Sequence, residues 1–306
     1  MPRLVGIGPE LFDGLHDAFL REDDPRWTDE AAWRRVFLYE WDFDADHRGY
    51  ALVEDDRVVG MMGMAFSRRV IRGVERRLCN PHTWWVHPDY RGHAVMMLMP
   101  IVKMRDRTLA YFTPGDRVRG LLRPLGFRPV DMQLRVLLPV GPRGQTVDIA
   151  FDGDAGDLDA DERRLMDDHR PYGMHHLWLG GACLVHYTFV ERYRFRYCHI
   201  HRVSDRDLFL AHEEAVRSAI MRRHGVRAVA LDMRLWRGHA FRRSFAMPPA
   251  GHGLFRPAEG DDIHEEDIDH LYSDVTMLRL TTMPSVRHEL LEPLRRRFTP
   301  GRVKPS

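Results

Sequence analysis

His82-Thr83-Trp84-Trp85-Val86-His87-Pro88-Asp89-Tyr90-Arg91-Gly92-His93-Ala94-Val95-Met96-Met97-Leu98 reads as an apolar strand, a sharp turn and the opening of a helix. Such a junction suits an anion, because the first amides of a helix lack partners within it and point out of its positive end. Upstream, Gly49 to Gly63 contains two runs of apolar and β-branched residues separated by Glu54-Asp55-Asp56, which predicts an antiparallel hairpin closed by a tight acidic turn. Downstream, the pattern predicts a helix from 91 to about 105 that Pro100 kinks or shortens. It then predicts a strand at 107–113, a helix at 116–125 and a left-handed cap at Gly126. A returning strand is expected to run from Phe127 to Leu138.

Val86-His87-Pro88, the turn Asp89-Tyr90-Arg91-Gly92, the Met- and Leu-rich segment after it and the closing Leu125-Gly126-Phe127-Arg128-Pro129 together resemble the GNAT superfamily of N-acetyltransferases. The resemblance implies an α/β fold built on a mixed α+β sheet, with acetyl-CoA or another acyl-CoA as co-substrate. It implies that the Val86 amide polarises the thioester carbonyl. It also implies that Arg91, Gly92, His93, Ala94, Val95 and Met96 receive the pyrophosphate. Two positions depart from the family pattern: Met96 stands where a Gly or Ala is usual, and Leu122 where many members place a Tyr that protonates the leaving thiolate.

At 306 residues the chain has room for two domains, and this resemblance covers only residues 1–140. A linker at 141–160 and a second domain at 161–306 are expected. The second half echoes the first, with predicted strands at 183–189 and 195–203, a helix at 205–224 ending at Gly225, and a strand at 226–233. A tandem pair of GNAT-like halves follows as an expectation, with the second degenerate: Ser204-Asp205-Arg206-Asp207 places acids where a pyrophosphate would be repelled.

Forty-six basic and 45 acidic residues give a net charge of +1 with interspersed signs, which argues against a nucleic-acid surface. Arg295-Arg296-Arg297 reads as a solvated helix face. Cys79, Cys183 and Cys198 form neither a disulfide framework nor a zinc-type spacing, so a cytoplasmic protein is expected. No apolar run is long enough to cross a bilayer, and no membrane association is expected.

Acyl transfer needs a neutral amine, a polarised carbonyl and an acceptor for one proton. His82 is the titratable group of the strand placed to take that proton, against the plainer reading in which it fixes the strand by hydrogen bonding. Trp84 and Trp85 read as one core and one cleft residue, and Cys79 and Cys198 as small buried hydrophobes. The 18 His show no metal-binding spacing with supporting carboxylates, so no metal is expected. Asp167-Asp168-His169 reads as a helix end with a favourably charged His. The leading function is direct acyl transfer to a small-molecule or peptide amine in a ternary complex. A non-catalytic acyl-CoA-binding or regulatory protein remains the alternative, and homo-oligomer formation stays open.

Overall fold

A computed structural model of the chain describes residues 1–20, 29–141, 146–152, 158–192, 195–249, 251–280 and 282–283. Residues 142–145 and 153–157 of the expected linker and the expected Arg295 to Arg297 helix face lie outside those residues.

β1 (Arg3–Gly6) pairs antiparallel with β2 (Gly49–Glu54), and α1 (Phe12–Leu15) and α2 (Glu30–Phe37) occupy the connection. The α2 cap is Asp29, whose side chain accepts from the Ala31 amide. β2 turns into β3 (Arg57–Ile71) through Asp55 and Asp56, both left-handed at φ 48° and 59°, as a two-residue type I′ turn requires. β3 pairs along its length with β4 (Val74–Val86). Opposite Met61 to Gly63, β4 carries one extra residue, and Thr83 there takes a φ of 47°. This is a β-bulge with a β-branched residue in the left-handed region.

The expected helix from 91 to 105 is different in the structure. Residues 88–97 wind as a 3-10 helix, and only α3 (Leu98–Lys103) is α-helical. Pro100 is the physical reason: inside an α-helix its ring would clash with the carbonyl of residue 96, whereas in the first turn of a helix starting at Leu98 its missing N–H costs nothing.

β5 (Thr108–Tyr111) follows, then α4 (Asp116–Leu122), with Gly126 left-handed at φ 86° as expected. The returning strand does not run unbroken from Phe127 to Leu138. It divides into β6 (Arg128–Val130) in one sheet and β7 (Leu134–Leu137) in the other. The break falls at Asp131, whose side chain turns back to accept the Gln133 amide at 2.9 Å while its own amide donates to Glu265.

The second half contributes β8 (Ile149–Phe151), α5 (Ala160–His169), β9 (His175–Leu179), β10 (Cys183–Arg192), β11 (Phe195–Val203), α6 (Arg206–His224) and β12 (Val229–Asp232). β13 (Ser244–Met247), β14 (Gly253–Arg256) and α7 (Asp274–Met277) complete it.

Two seven-stranded sheets result, ordered β1-β2-β3-β4-β5-β14-β6 and β8-β9-β10-β11-β12-β7-β13. Each is antiparallel except for one parallel pair, β4 with β5 and β11 with β12, made by a helical crossover. Even the residues match: Cys79 sits beside Leu109 in the first parallel pair and Cys198 beside Val229 in the second. The sixth strand of each sheet comes from the other half of the chain, so neither half completes its sheet alone. The tandem expectation therefore holds as a repeated plan with exchanged strands.

A strap at 261–280 ties the sheets together. Arg69 on β3 grips Asp269 through two bonds of 2.8 Å, Arg72 grips Asp267, and Arg234 donates to Ile268 O at 3.0 and 3.2 Å. His169 corrects the sequence reading. It is buried, its Nδ1 meets Leu165 O at 2.8 Å and its Nε2 accepts the Tyr272 amide at 3.0 Å. Burial pushes it down to about 3, so it is a neutral hydrogen-bonding link and not a helix-end charge.

One close approach is testable. Gly63 faces His82 across the β3–β4 pair, and a Cβ built on Gly63 lies 2.1 Å from the His82 ring. Gly63→Ala is expected to lower stability by about 1–3 kcal/mol, read by urea unfolding, because a 0 % exposed ring has nowhere to move.

Candidate active site

β4 and β5 stay paired only through Leu78 with Thr108 and Cys79 with Leu109. Past that point they part, and Asn80 holds the fork. Its Nδ2 donates to Ala110 O at 2.6 Å, and its Oδ1 accepts the Asp274 amide at 3.1 Å. One buried amide thus satisfies a β5 carbonyl beside the fork and anchors the strap to it.

The gap opens into a cleft of about 350 Å³ lined by Thr83, Trp84, Tyr111, Thr113, Val118 and Asp274, with Phe19 and Trp33 on its rim. That volume lies at the small end of ligand pockets. The backbone of β4 presents a donor on the same side. His87 N–H donates to Val59 O at 2.9 Å, so the next pair, Gly60 with Val86, is a non-hydrogen-bonded one. The Val86 amide therefore points away from β3, towards the side where β5 has turned off.

Three polar side chains lie on its lining. Asp274 Oδ2 accepts from the Thr113 hydroxyl, while its Oδ1 is buried without a partner. Burial pushes its carboxyl up to about 6, against hydrogen bonds from Thr113 and from the Val275 and Asp274 amides. Burial also raises the Tyr111 hydroxyl, the Asp274 carboxylate adds to that, and a hydrogen bond with the Trp84 backbone opposes it. Tyr111 thus stays protonated at neutral pH.

His82 is placed differently from the sequence expectation. It is fully buried, its ring sits edge-on to Phe37 at 5.1 Å, and its Nδ1 lies 3.1 Å from the Thr83 hydroxyl. Burial alone pushes it down to about 3. Thr83 and Trp84, its neighbours across the bulge, line the cleft in its place. Trp84 is the cleft tryptophan, and Trp85 stacks on Phe19 at 5.1 Å.

Beyond the end of β4, Arg91 and Gly92 are exposed, His93 and Ala94 are half-buried, and Val95 is 63 % exposed. A Cβ on Gly92 would meet nothing within 4 Å. Met96 packs inward on the core of Met97, Leu98, Ile101, Leu109 and Tyr111, so its bulk does not face outward with Gly92. The 3-10 winding changes the amides, because each bonded amide reaches three residues back, as Tyr90 N–H does to His87 O and Leu98 N–H to Val95 O. Leu122 is fully buried in the same core and offers no proton to the cleft.

Asp274 is the residue that sequence reading missed. It follows His270-Leu271-Tyr272-Ser273 in a segment with no catalytic motif, and only the fold carries it to Asn80. Cys79, Cys183 and Cys198 are free and buried. Among the described residues no helix is long and apolar enough to cross a membrane.

The acetyltransferase (GNAT) family model matches residues 12–99. Among solved structures, a GCN5-related N-acetyltransferase from Kribbella flavida superposes with a TM-score of 0.56 at 15 % identity, covering 85 % of this chain and 72 % of its own. A second, from Anabaena variabilis, gives 0.55 at 8 % identity over 84 % of this chain and 73 % of its own. A search of curated proteins finds no match. The GNAT resemblance read from the sequence is borne out, and the chain carries the GNAT fold.

Asn80→Leu removes both hydrogen bonds at the fork and leaves Ala110 O and the Asp274 amide without partners. Each orphaned group is expected to cost about 1–3 kcal/mol. Urea unfolding of the variant checks this, and a loss below 1 kcal/mol would show that the fork does not depend on Asn80.

Proposed function

We propose that this chain is an acyl-CoA-dependent N-acyltransferase, with acetyl-CoA as donor, that transfers the acyl group directly to a small-molecule or peptide amine in a ternary complex. The observation that carries the reading is the fork of β4 and β5, with the Val86 amide turned away from β3 towards that side and Asp274, with one unpartnered carboxylate oxygen, lining the cleft. The residues present suit a CoA thioester: an open strand edge for an extended arm, and the exposed Arg91 with the unobstructed Gly92 beyond it for a diphosphate. When bound, the thioester supplies an activated acyl carbon.

Val86 N–H polarises the thioester carbonyl and stabilises the negative charge that builds on its oxygen during attack. Asp274, ionised above about pH 6, takes the proton that the amine loses as the C–N bond forms. The C–S bond then breaks, and Tyr111 is the protonated hydroxyl on the cleft wall that can meet the departing thiolate. In this reading Asp274 fills the role that the sequence assigned to His82, because a base must reach the amine and His82 is sealed beneath Phe37. Trp33, Phe19 and Trp84 give the cleft an aromatic rim suited to an amine with an apolar body.

A second reading, an acyl-CoA-binding protein without turnover, is favoured by two observations. One of them is that Leu122 is buried where the resemblance implies a proton donor, and the other is that His82, the expected base, is sealed in the core.

Thiol release from acetyl-CoA against a panel of amines separates the two. The proposal predicts turnover whose kcat/KM rises with pH and levels off above about 6, since the carboxyl must lose its proton to act. Asp274→Asn should lower kcat by roughly 10²–10⁴-fold while keeping the rise in melting temperature that acetyl-CoA gives the wild type. Arg91→Glu should remove that rise. A thermal shift without thiol release for any amine would favour the binding protein, and no shift at all would end both readings.

A further inference from the structure

The second sheet has its own parallel pair, and it stays zipped further than the first. β11 and β12 pair through Cys198, His199 and Ile200 before they separate. The gap beyond is a cleft of about 140 Å³, lined by His201, Arg202, Arg206, Trp236, Glu266 and Asp269 among others. His201 on its lining belongs to a group of three histidines that the acyl-transfer reading leaves unused. His199 and His201 lie two residues apart on β11 and so share one face, and His270 comes from the strap. All three are buried, at 0–1 % exposure.

One ligand-capable atom from each lies within 4.8 Å of the others. Neither nitrogen of His199 nor of His270 has a hydrogen-bond partner, and Nδ1 of His201 also lacks one. Three imidazoles with free nitrogens gathered in one buried place is costly unless something occupies the centre. Two of the ring nitrogens have a polar neighbour. His201 Nε2 is 2.8 Å from the Thr188 hydroxyl, and His270 Nδ1 is 3.1 Å from Asp232 Oδ2. A hydroxyl or carboxylate behind the ring is what orients metal-bound histidines and fixes their tautomers.

We propose that His199, His201 and His270 form a three-imidazole site for a divalent transition-metal ion such as zinc, next to the second cleft that His201 lines. Three neutral imidazoles with one open position is a set that zinc accepts. Burial lowers all three histidines below their ordinary value, so their lone pairs are free at neutral pH. Arg234 faces His199 and His270, is offset by Asp232 at 3.4 Å and donates to the Ile268 and Asp131 carbonyls, and the Asp269 carboxylate faces His201. Because His270 belongs to the strap and the other two to β11, a bound ion would join the strap to the second sheet.

The test uses the full chain stripped with a chelator, then given Zn²⁺ or Co²⁺ as the probe. The expected result is one ion retained per chain after gel filtration, a higher melting temperature with metal, and the strong visible absorption of four-coordinate Co²⁺. His199→Gln and His270→Ala should lose the absorption, while His252→Ala, an exposed histidine elsewhere, should keep it. Thr188→Val, which disturbs only the outer partner of His201, should weaken affinity roughly 10–100-fold and serves if the direct ligand variants do not fold. A folded wild type that retains no ion, or a His270→Ala variant with unchanged absorption, overturns the site. Neither result bears on thiol release at the first cleft, which uses none of these residues.

Discussion

The structure depends on the point at which β4 lets go of β5. A parallel pair held by two register steps and then opened exposes peptide groups that a continuous sheet would satisfy. Asn80 resolves this by replacing backbone pairing with a side chain that donates to the Ala110 carbonyl of β5 and accepts the Asp274 amide of the strap. Without that substitution the fork would close into sheet or leave buried polar groups without partners. The Thr83 bulge works from the other edge. It adds a residue to β4 opposite β3 and places Thr83 and Trp84 on the cleft wall. The Val86 amide faces the gap because the pairing rhythm with β3 leaves it free, and Asp274 arrives there because its backbone is bonded to Asn80.

The exchange of strands makes this local device a property of the whole chain. β14 lies between β5 and β6, and its Arg256 sends Nη2 to Ile101 O at 2.6 Å and Met104 O at 2.8 Å, capping α3 with a buried cation. β7 completes the second sheet in return. The strap then crosses both, so Arg69, Asn80, Arg234 and His169 all read their partners from the last described segment. The first cleft cannot be assembled from the first half alone, since Asp274 and the strand beside β5 both come from the second.

Much of this was legible in residue patterns of short range. Asp55-Asp56 announced the hairpin, Gly126 and Gly225 announced the left-handed ends of α4's extension and α6, and the strand leading to Val86 was read with its end in place. Pro100 was recognised as a disturbance, but its effect was greater than a kink: it moved the start of the α-helix to Leu98 and left a 3-10 stretch where anion-binding amides were expected. Contacts of long range were not legible. Nothing in Phe127 to Leu138 declares that the strand changes sheets at Asp131, and nothing around Asp274 marks it as a cleft carboxylate. His82 drew attention because it sits in the motif, yet alternation across the bulge turned it under Phe37. The three histidines escaped notice because two come from a strand and one from a distant strap, a spacing no linear motif describes.

The central claim is that a thioester lies in the fork of β4 and β5, along the open edge of β4. Amide hydrogen exchange with and without acetyl-CoA tests it directly, since peptides spanning Thr83 to Val86 and Arg91 to Met96 report the two ends of the arm. The account predicts slower exchange in both peptides on addition of acetyl-CoA, with β11 and β12 unchanged. Protection confined to the second sheet, or exchange in Thr83 to Val86 that acetyl-CoA leaves untouched, would contradict it.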